Sequence, residues 1–239
     1  MKEYKYFKTI DEVEKWLLIM EQSARINHMI LNIEQLEEAE EIVRKKKNGK
    51  LLNFIGALYF EGNGVNEDKY KAFRLYEEAM DLGYYQAASN LGYCYYYGNG
   101  VRKDMYKAFK AFTRGVRLGS IECLIKLGDM YINGENGYKD IWRGLDFYEE
   151  AYEQITEMYN PDDRSFQQSY SSICLKLGKC YYNGKGYHKN MKKAERYIRR
   201  AYWFYKLRKE WNDYYCESGL KESKALLDKI YEEKRKMVC

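Results

Sequence analysis

The chain has 239 residues, among them 27 Tyr, 18 Gly, two His and one Pro; 46% are apolar, 32% are charged, and the formal net charge is +5. So much ring surface excludes a disordered chain, which lacks the apolar material to offset ordering entropy. A single Pro argues against an all-β protein with Pro-punctuated turns and against a proline-rich linker between domains. The charge is a small difference between 41 basic and 36 acidic side chains, so it permits a polyanionic partner without implying one.

The first eight residues, Met1 to Lys8, carry positive charge but no apolar h-region, which points to a cytoplasmic protein rather than a secreted one. The longest apolar run, Trp16 to Met20, falls far short of the roughly 18 to 20 residues that span a bilayer, and no membrane partner is expected. Thr9 and Glu12 form a capping box that opens a helix with Val13, Trp16, Leu17 and Met20 on its apolar face. Asn32 caps a second helix carrying Ile33, Leu36, Ala39 and Val43, with Lys45 to Lys47 at the favourable C-terminal end. Residues 1–49 therefore read as capping helices.

A repeat follows, spanning 50–208 in blocks of about 50–84, 85–120, 121–158 and 166–208. Gly56-Ala-Leu-Tyr59 leads into Gly62 and Gly64; Gly92-Tyr-Cys-Tyr95 leads into Gly98 and Gly100 36 residues on; Gly128-Asp-Met-Tyr131 leads into Gly134 after another 36. Gly178-Lys-Cys-Tyr181, with Gly184 and Gly186, comes 50 residues later, and the surplus reads as an insertion loop near 156–170 that holds Pro161. Ile55, Leu91, Leu127 and Leu177 stand four residues before Tyr59, Tyr95, Tyr131 and Tyr181, so each pair shares a helix face. The Gly between them lets a second helix approach closely, and the Gly after them ends the helix in a left-handed cap. Asp68, Asp104, Asp140 and Asn190 then cap a second helix. On it small residues (Ala72, Ala108, Gly144, Ala194) alternate with bulky ones (Tyr76, Phe112, Tyr148, Ile198), as interdigitating helices require. Gly83 and Gly119 close this helix twice; Ile155 and Tyr205 replace them, so the last two copies should run on by a turn or more.

These columns resemble the Sel-1-like repeat family, a tetratricopeptide-like α/α solenoid. Two blocks match almost completely. The third has Asn136 where the family has its second Gly, and the fourth has Tyr187 for Val and Asn190 for Asp. The fold class implied is all-α: a right-handed α/α superhelix of about four helix-pair repeats with helical caps at both ends. The second cap is 209–239, where Leu220, Leu226, Leu227 and Ile230 supply the apolar face of a last helix.

Little in the sequence suggests catalysis. His28 and His188 are far apart, and the six cysteines (94, 123, 174, 180, 216, 239) show neither a C-x-x-C nor a regular pairing interval. They read as packed thiols, with terminal Cys239 the most open to oxidation. The Gly-x-Gly turns look like phosphate cradles, but a capping carboxylate occupies the anion position in three of four. No cofactor, metal or catalytic constellation is expected. The hydrolase activity implied by cysteine-rich relatives would call for regularly spaced cysteine pairs, which are absent. Single-stranded nucleic-acid binding is the stronger alternative: Lys71, Lys107, Arg143 and Lys193 form a basic column beside tyrosines, and the stretches 192–200 and 206–209 add charge.

The best supported reading is a non-catalytic scaffold for a protein or peptide partner. By the resemblance, the first helix of each pair lines a concave groove. Its columns hold Asn53, Ser89, Ile125 and Leu175, then Ala57, Tyr93, Asp129 and Lys179, and these change chemistry from repeat to repeat while the packing columns do not. Tyr93, flanked by Tyr96 and Tyr97, is the foremost contact candidate because tyrosine offers area at low entropic cost.

Overall fold

The computed structural model describes residues 5–27, 30–135, 137–158, 160, 162–211, 213 and 216–238. His28, Asn136, Pro161 and Cys239, singled out above, lie outside them. Every regular element among the described residues is helical: α1 (Ile10–Asn27), α2 (Ile33–Lys45), α3 (Gly49–Glu61), α4 (Lys69–Asp81), α5 (Tyr85–Tyr97), α6 (Met105–Arg117), α7 (Ile121–Asn133), α8 (Ile141–Glu157), α9 (Arg164–Asn183), α10 (Met191–Glu210) and α11 (Glu217–Val238). None is long and apolar enough to cross a membrane. The chain forms two compact units, Met1–Cys123 and Leu124–Cys239.

In the first unit the caps follow the local chemistry. Thr9 Oγ1 accepts from the Glu12 amide at 3.2 Å, and Glu12 in turn accepts from the Lys8 amide at 2.8 Å. Asn32 and Asn48 cap α2 and α3 through the amides of Gln35 and Leu51. Val13, Leu17, Leu36, Ala39 and Val43 are fully buried, whereas Ile33, in the first turn of α2, stays exposed. The extended segment before α1 is strapped to α2 by Glu38, whose carboxylate accepts from the amides of Lys5, Tyr6 and Phe7 at 2.7 to 2.8 Å.

The repeat columns do what their chemistry requires. Oδ1 of Asp68, Asp104, Asp140 and Asn190 accepts from the amide three residues on, at 2.8 to 3.0 Å, at the start of α4, α6, α8 and α10. Gly62 and Gly98 close α3 and α5 with φ of 66° and 80°, the left-handed conformation that glycine adopts without strain. Each helix-crossing glycine faces the bulky residue of its own pair. A Cβ on Gly56 would stand 2.8 Å from Tyr76, and one on Gly178 would stand 2.5 Å from Ile198. The extension of the last two second helices also follows: α8 has 17 residues and α10 has 20, against 13 in α4 and α6, and Ile155 and Tyr205 are buried.

One expectation is corrected. Most of the segment 156–170 is helix rather than loop, because α8 continues to Glu157 and α9 begins at Arg164. Phe166 and Tyr170, four residues apart, stack on each other at 5.2 Å and meet Phe204 of the lengthened α10 at 5.8 and 4.9 Å. That aromatic face draws most of the surplus into helix. In the same unit α11 docks Leu227 and Ile230 against Tyr181, Ala194 and Ile198. It is pinned at its edge by Lys189–Glu233 at 2.8 Å and by Lys234–Glu195.

Candidate partner-binding face

The packing columns turn inward. Ile55, Leu91, Leu127 and Leu177 are at most 3% exposed, and the tyrosines four residues on are buried except for half-buried Tyr95. Over each tyrosine ring lies the cation of the basic column: Lys71 at 4.3 Å from the centroid of Tyr59, Lys107 at 5.5 Å from Tyr95, Arg143 at 4.8 Å from Tyr131 and Lys193 at 4.9 Å from Tyr181. This geometry gives those cations a structural use, covering the ring that seals each helix pair. It removes the main sequence argument for a nucleic-acid surface.

On α3 and α5 of the first unit, the expected groove residues take distinct positions. Asn53 is half-buried and accepts from the Asn90 side-chain amide at 2.8 Å, joining the two helices. Ala57, one turn on along α3 and in the column of Tyr93, is half-buried as well. Ser89 is buried, its hydroxyl donating to the Gln86 carbonyl at 2.8 Å. Tyr93 is half-buried with its ring against the edge of Phe112 at 5.4 Å, and it stacks on Tyr97 at 6.1 Å. Tyr97 is 62% exposed and takes the edge of Tyr96 at 4.8 Å. The carboxyl of Glu122, at the start of α7, interacts with the hydroxyls of Ser89 and Tyr93. The structure thus gathers an amide pair and a three-tyrosine cluster on one side of α3 and α5.

In the second unit the same columns are spent internally. Ile125 and Leu175 are buried. Asp129 accepts from Lys176 at 2.6 Å and from the Tyr148 hydroxyl. Burial, reinforced by the Asp129 charge, raises the Tyr148 pKa and keeps its proton in place. Lys179 is half-buried and pairs with Glu222 of α11 at 2.6 Å. Lys126 is buried, 3.9 Å from Glu135, and burial pushes its ammonium pKa below the ordinary lysine value despite the charges of Glu135 and Asp129.

Sequence reasoning missed Asn90, Lys126 and Lys176, which occupy the column two residues before the first Gly of each repeat. Their signal was available: that column also changes chemistry, running Phe54, Asn90, Lys126, Lys176. Two of these side chains reach back to the preceding repeat, Asn90 to Asn53 and Lys176 to Asp129.

The chemistry available for catalysis is sparse. Cys94, Cys123, Cys174, Cys180 and Cys216 are unpaired and buried, and burial pushes the thiols of Cys94, Cys123 and Cys174 up to about 12. Among the described residues no three His, Cys, Asp or Glu side chains gather closely enough to hold a metal ion.

The family model described as Sel1 repeat matches residues 51–84, 86–120, 121–154 and 173–202. No curated protein matches the chain. Among solved structures, a Sel1 repeat protein from Oxalobacter formigenes aligns with a TM-score of 0.60 and 22% identity, covering 91% of this chain and 75% of that one. A protective antigen of uropathogenic Escherichia coli described as displaying an SLR fold aligns with a TM-score of 0.49 and 14% identity over 94% of this chain and 72% of its own. An immunity protein from Pseudomonas aeruginosa aligns with a TM-score of 0.48 and 20% identity over 80% and 66%.

Proposed function

The chain belongs to the Sel1 repeat family, and from that premise we propose that it is a non-catalytic scaffold holding a protein or peptide partner on the α3–α5 side of its first unit. The observation that carries this reading is the cluster of Tyr93, Tyr96 and Tyr97. Packing consumes part of the Tyr93 ring, but Tyr97 stands 62% exposed on a helix whose opposite face is the core. An exposed tyrosine braced by two others presents a large, rigid contact surface with little entropy to lose on binding. The Asn53–Asn90 amide pair, bonded to itself on one side, retains hydrogen-bonding capacity for the backbone of an extended peptide. The unpaired, buried cysteines suit a reducing compartment, and we place the protein in the cytoplasm.

The test is affinity capture from the native cell with the wild-type chain, followed by titration of the captured partner against Tyr97→Ala and the Asn53→Ala/Asn90→Ala pair. Loss of at least ~10-fold in affinity for Tyr97→Ala supports the assignment. A partner held equally well by both variants overturns it. So does tight binding to single-stranded nucleic acid that falls steeply with salt.

A further inference from the structure

The second unit carries two outward stripes of opposite charge on neighbouring helices. On α10, Lys192, Arg196, Arg199, Trp203 and Lys206 are spaced as one helical face, and all five are exposed. On α8 the equivalent face runs Trp142, Asp146, Glu149 and Glu153, also exposed throughout. The two helices touch: the Arg200 guanidinium donates to the Tyr152 hydroxyl, and the rings of Tyr152 and Tyr197 meet edge to face at 5.3 Å.

Despite this closeness the stripes do not neutralise each other. Lys192, Arg196 and Lys206 have no acidic side chain within ion-pair distance among the described residues, and Asp146, Glu149 and Glu153 have no cation. Arg199 reaches Glu195 at 3.6 Å, but Lys234 of α11 also claims that carboxylate. Like charges at this helical spacing repel and weaken the helix that bears them. The scaffold does not impose the pattern. The same positions read Tyr70, Arg74, Glu77 and Asp81 on α4, and Tyr106, Lys110, Thr113 and Arg117 on α6.

We infer that the outer face of α8 and α10 is a self-association surface, occupied by the same face of a second copy of this chain. A twofold contact is isologous, so whatever α8 of one copy meets on its partner, the partner's α8 meets in return. Both helices pack antiparallel to α9, Phe166 meeting Phe204 and Tyr181 meeting Tyr197 on α10, and Tyr170 meeting Tyr152 and Lys176 meeting Tyr148 on α8, so α8 and α10 run in the same direction. Two dyads bring this face onto itself. A dyad across the helices sets α8 on α8 and α10 on α10, where like charges collide. A dyad along the helices sets α8 on the partner's α10, and opposite charges meet twice over. In the register of the repeat columns, Asp146 then faces Arg196, Glu149 faces Arg199, and the Trp142 ring faces the Lys192 ammonium. The charge pattern selects the second dyad and excludes the first. This surface lies on the second helices and does not depend on the α3–α5 reading.

The test is the mass of the full chain in solution, by sedimentation or light scattering. At about 0.1 M salt the wild type should show twice the single-chain mass, falling toward one chain at about 1 M, where screening shortens from ~10 to ~3 Å. Arg196→Glu and Asp146→Lys, each alone, should return the mass to a single chain. Mixing these two variants should restore the dimer, and so should placing both substitutions in one chain, because each rebuilds two opposed pairs. Restoration by the second substitution separates a lost interface from a damaged fold. A wild type that stays monomeric up to ~100 µM, well above a micromolar dissociation constant, or a dimer that ignores both substitutions, overturns the inference. A monomer that instead binds polyglutamate through Arg196 and Arg199 also overturns it and assigns the basic stripe to a different acidic chain.

Discussion

Gly92 and Phe112 are fitted to each other: a Cβ on Gly92 would stand 2.3 Å from Cε1 of the phenyl ring, which is fully buried and cannot retreat. Glycine weakens α5 by about 1 kcal/mol relative to alanine, so the position is held by packing rather than by helix propensity. Gly92→Ala should cost about 1 to 3 kcal/mol from overpacking, less a propensity gain of about 1 kcal/mol, for a net loss of about 0 to 2 kcal/mol in urea unfolding. Gly92→Ala combined with Phe112→Leu should recover part of it, since the smaller side chain vacates the contested space.

The basic column separates into two kinds of site. Oε2 of Glu40 is buried and accepts from the Lys71 ammonium at 3.0 Å, while Arg44 holds the other oxygen at 2.7 Å. Lys107, one repeat on, lies over Tyr95 at 5.5 Å and makes no ion pair among the described residues. Lys71→Met should therefore cost about 1.5 to 3 kcal/mol, the range for a hydrogen bond to a charged group. Lys107→Met should cost only about 0.5 to 1 kcal/mol, a cation–π contact near the surface. Equal losses would show that Glu40 does not depend on Lys71.

Alkaline pH should destabilise the fold through its thiols. In the folded chain burial lifts Cys94, Cys123 and Cys174 from an ordinary 9.0 to about 12. Between about pH 9 and 12 the unfolded chain therefore releases these protons while the folded chain keeps them, so the stabilisation present below pH 9 drains away as pH rises. Each thiol should contribute on the order of 1 kcal/mol per pH unit in that window. Lys126, depressed by burial, works in the opposite direction just below its ordinary value, but three thiols outweigh one amine. Thermal melts at pH 8 to 10.5 should show the decline, and Cys94→Ala with Cys174→Ala should flatten it.

The strap on Glu38 should respond to acid. Although burial alone raises this carboxyl, the amides of Tyr6, Phe7 and Lys5 hold it below the ordinary 4.5. The strap is then fully formed above that value and is lost as pH falls through the lowered one. The protection of the Tyr6 and Phe7 amides against hydrogen exchange, taken relative to the intrinsic rate at each pH, should be high near neutrality and fall in acid. In Glu38→Gln, whose single carbonyl oxygen cannot serve three donors, that protection should be low at both.

The fold was far more legible in the sequence than the candidate site. Caps such as Asp104 and packing pairs such as Leu91 with Tyr95 are set by residues within one turn of each other and recur at a fixed interval, so four copies testify to each. Groove residues depend on what an adjacent helix leaves open. Ser89 and Leu175 share a column with Asn53, yet both are buried while Asn53 is only half so, and no single-helix projection carries that information. The segment near 160 misled for a related reason. Proline is a loud local signal, whereas the Phe166–Tyr170 pair that keeps the chain helical acquires meaning only once α10 is long enough to bring Phe204 beneath it.

The second glycine of the α5–α6 turn touches another repeat. A Cβ on Gly100 would fall 2.0 Å from the Lys69 carbonyl oxygen, at the first residue of α4. The α5–α6 turn therefore rests directly on the first turn of α4, backbone against backbone. The contact is mutual: the turn of the repeat at 85–120 covers the end where α4 of the repeat at 50–84 would fray, and that end in turn supports the turn. Any bulkier residue at position 100 would then leave each helix pair intact while uncoupling the two, turning one cooperative melt of the first unit into two separate ones.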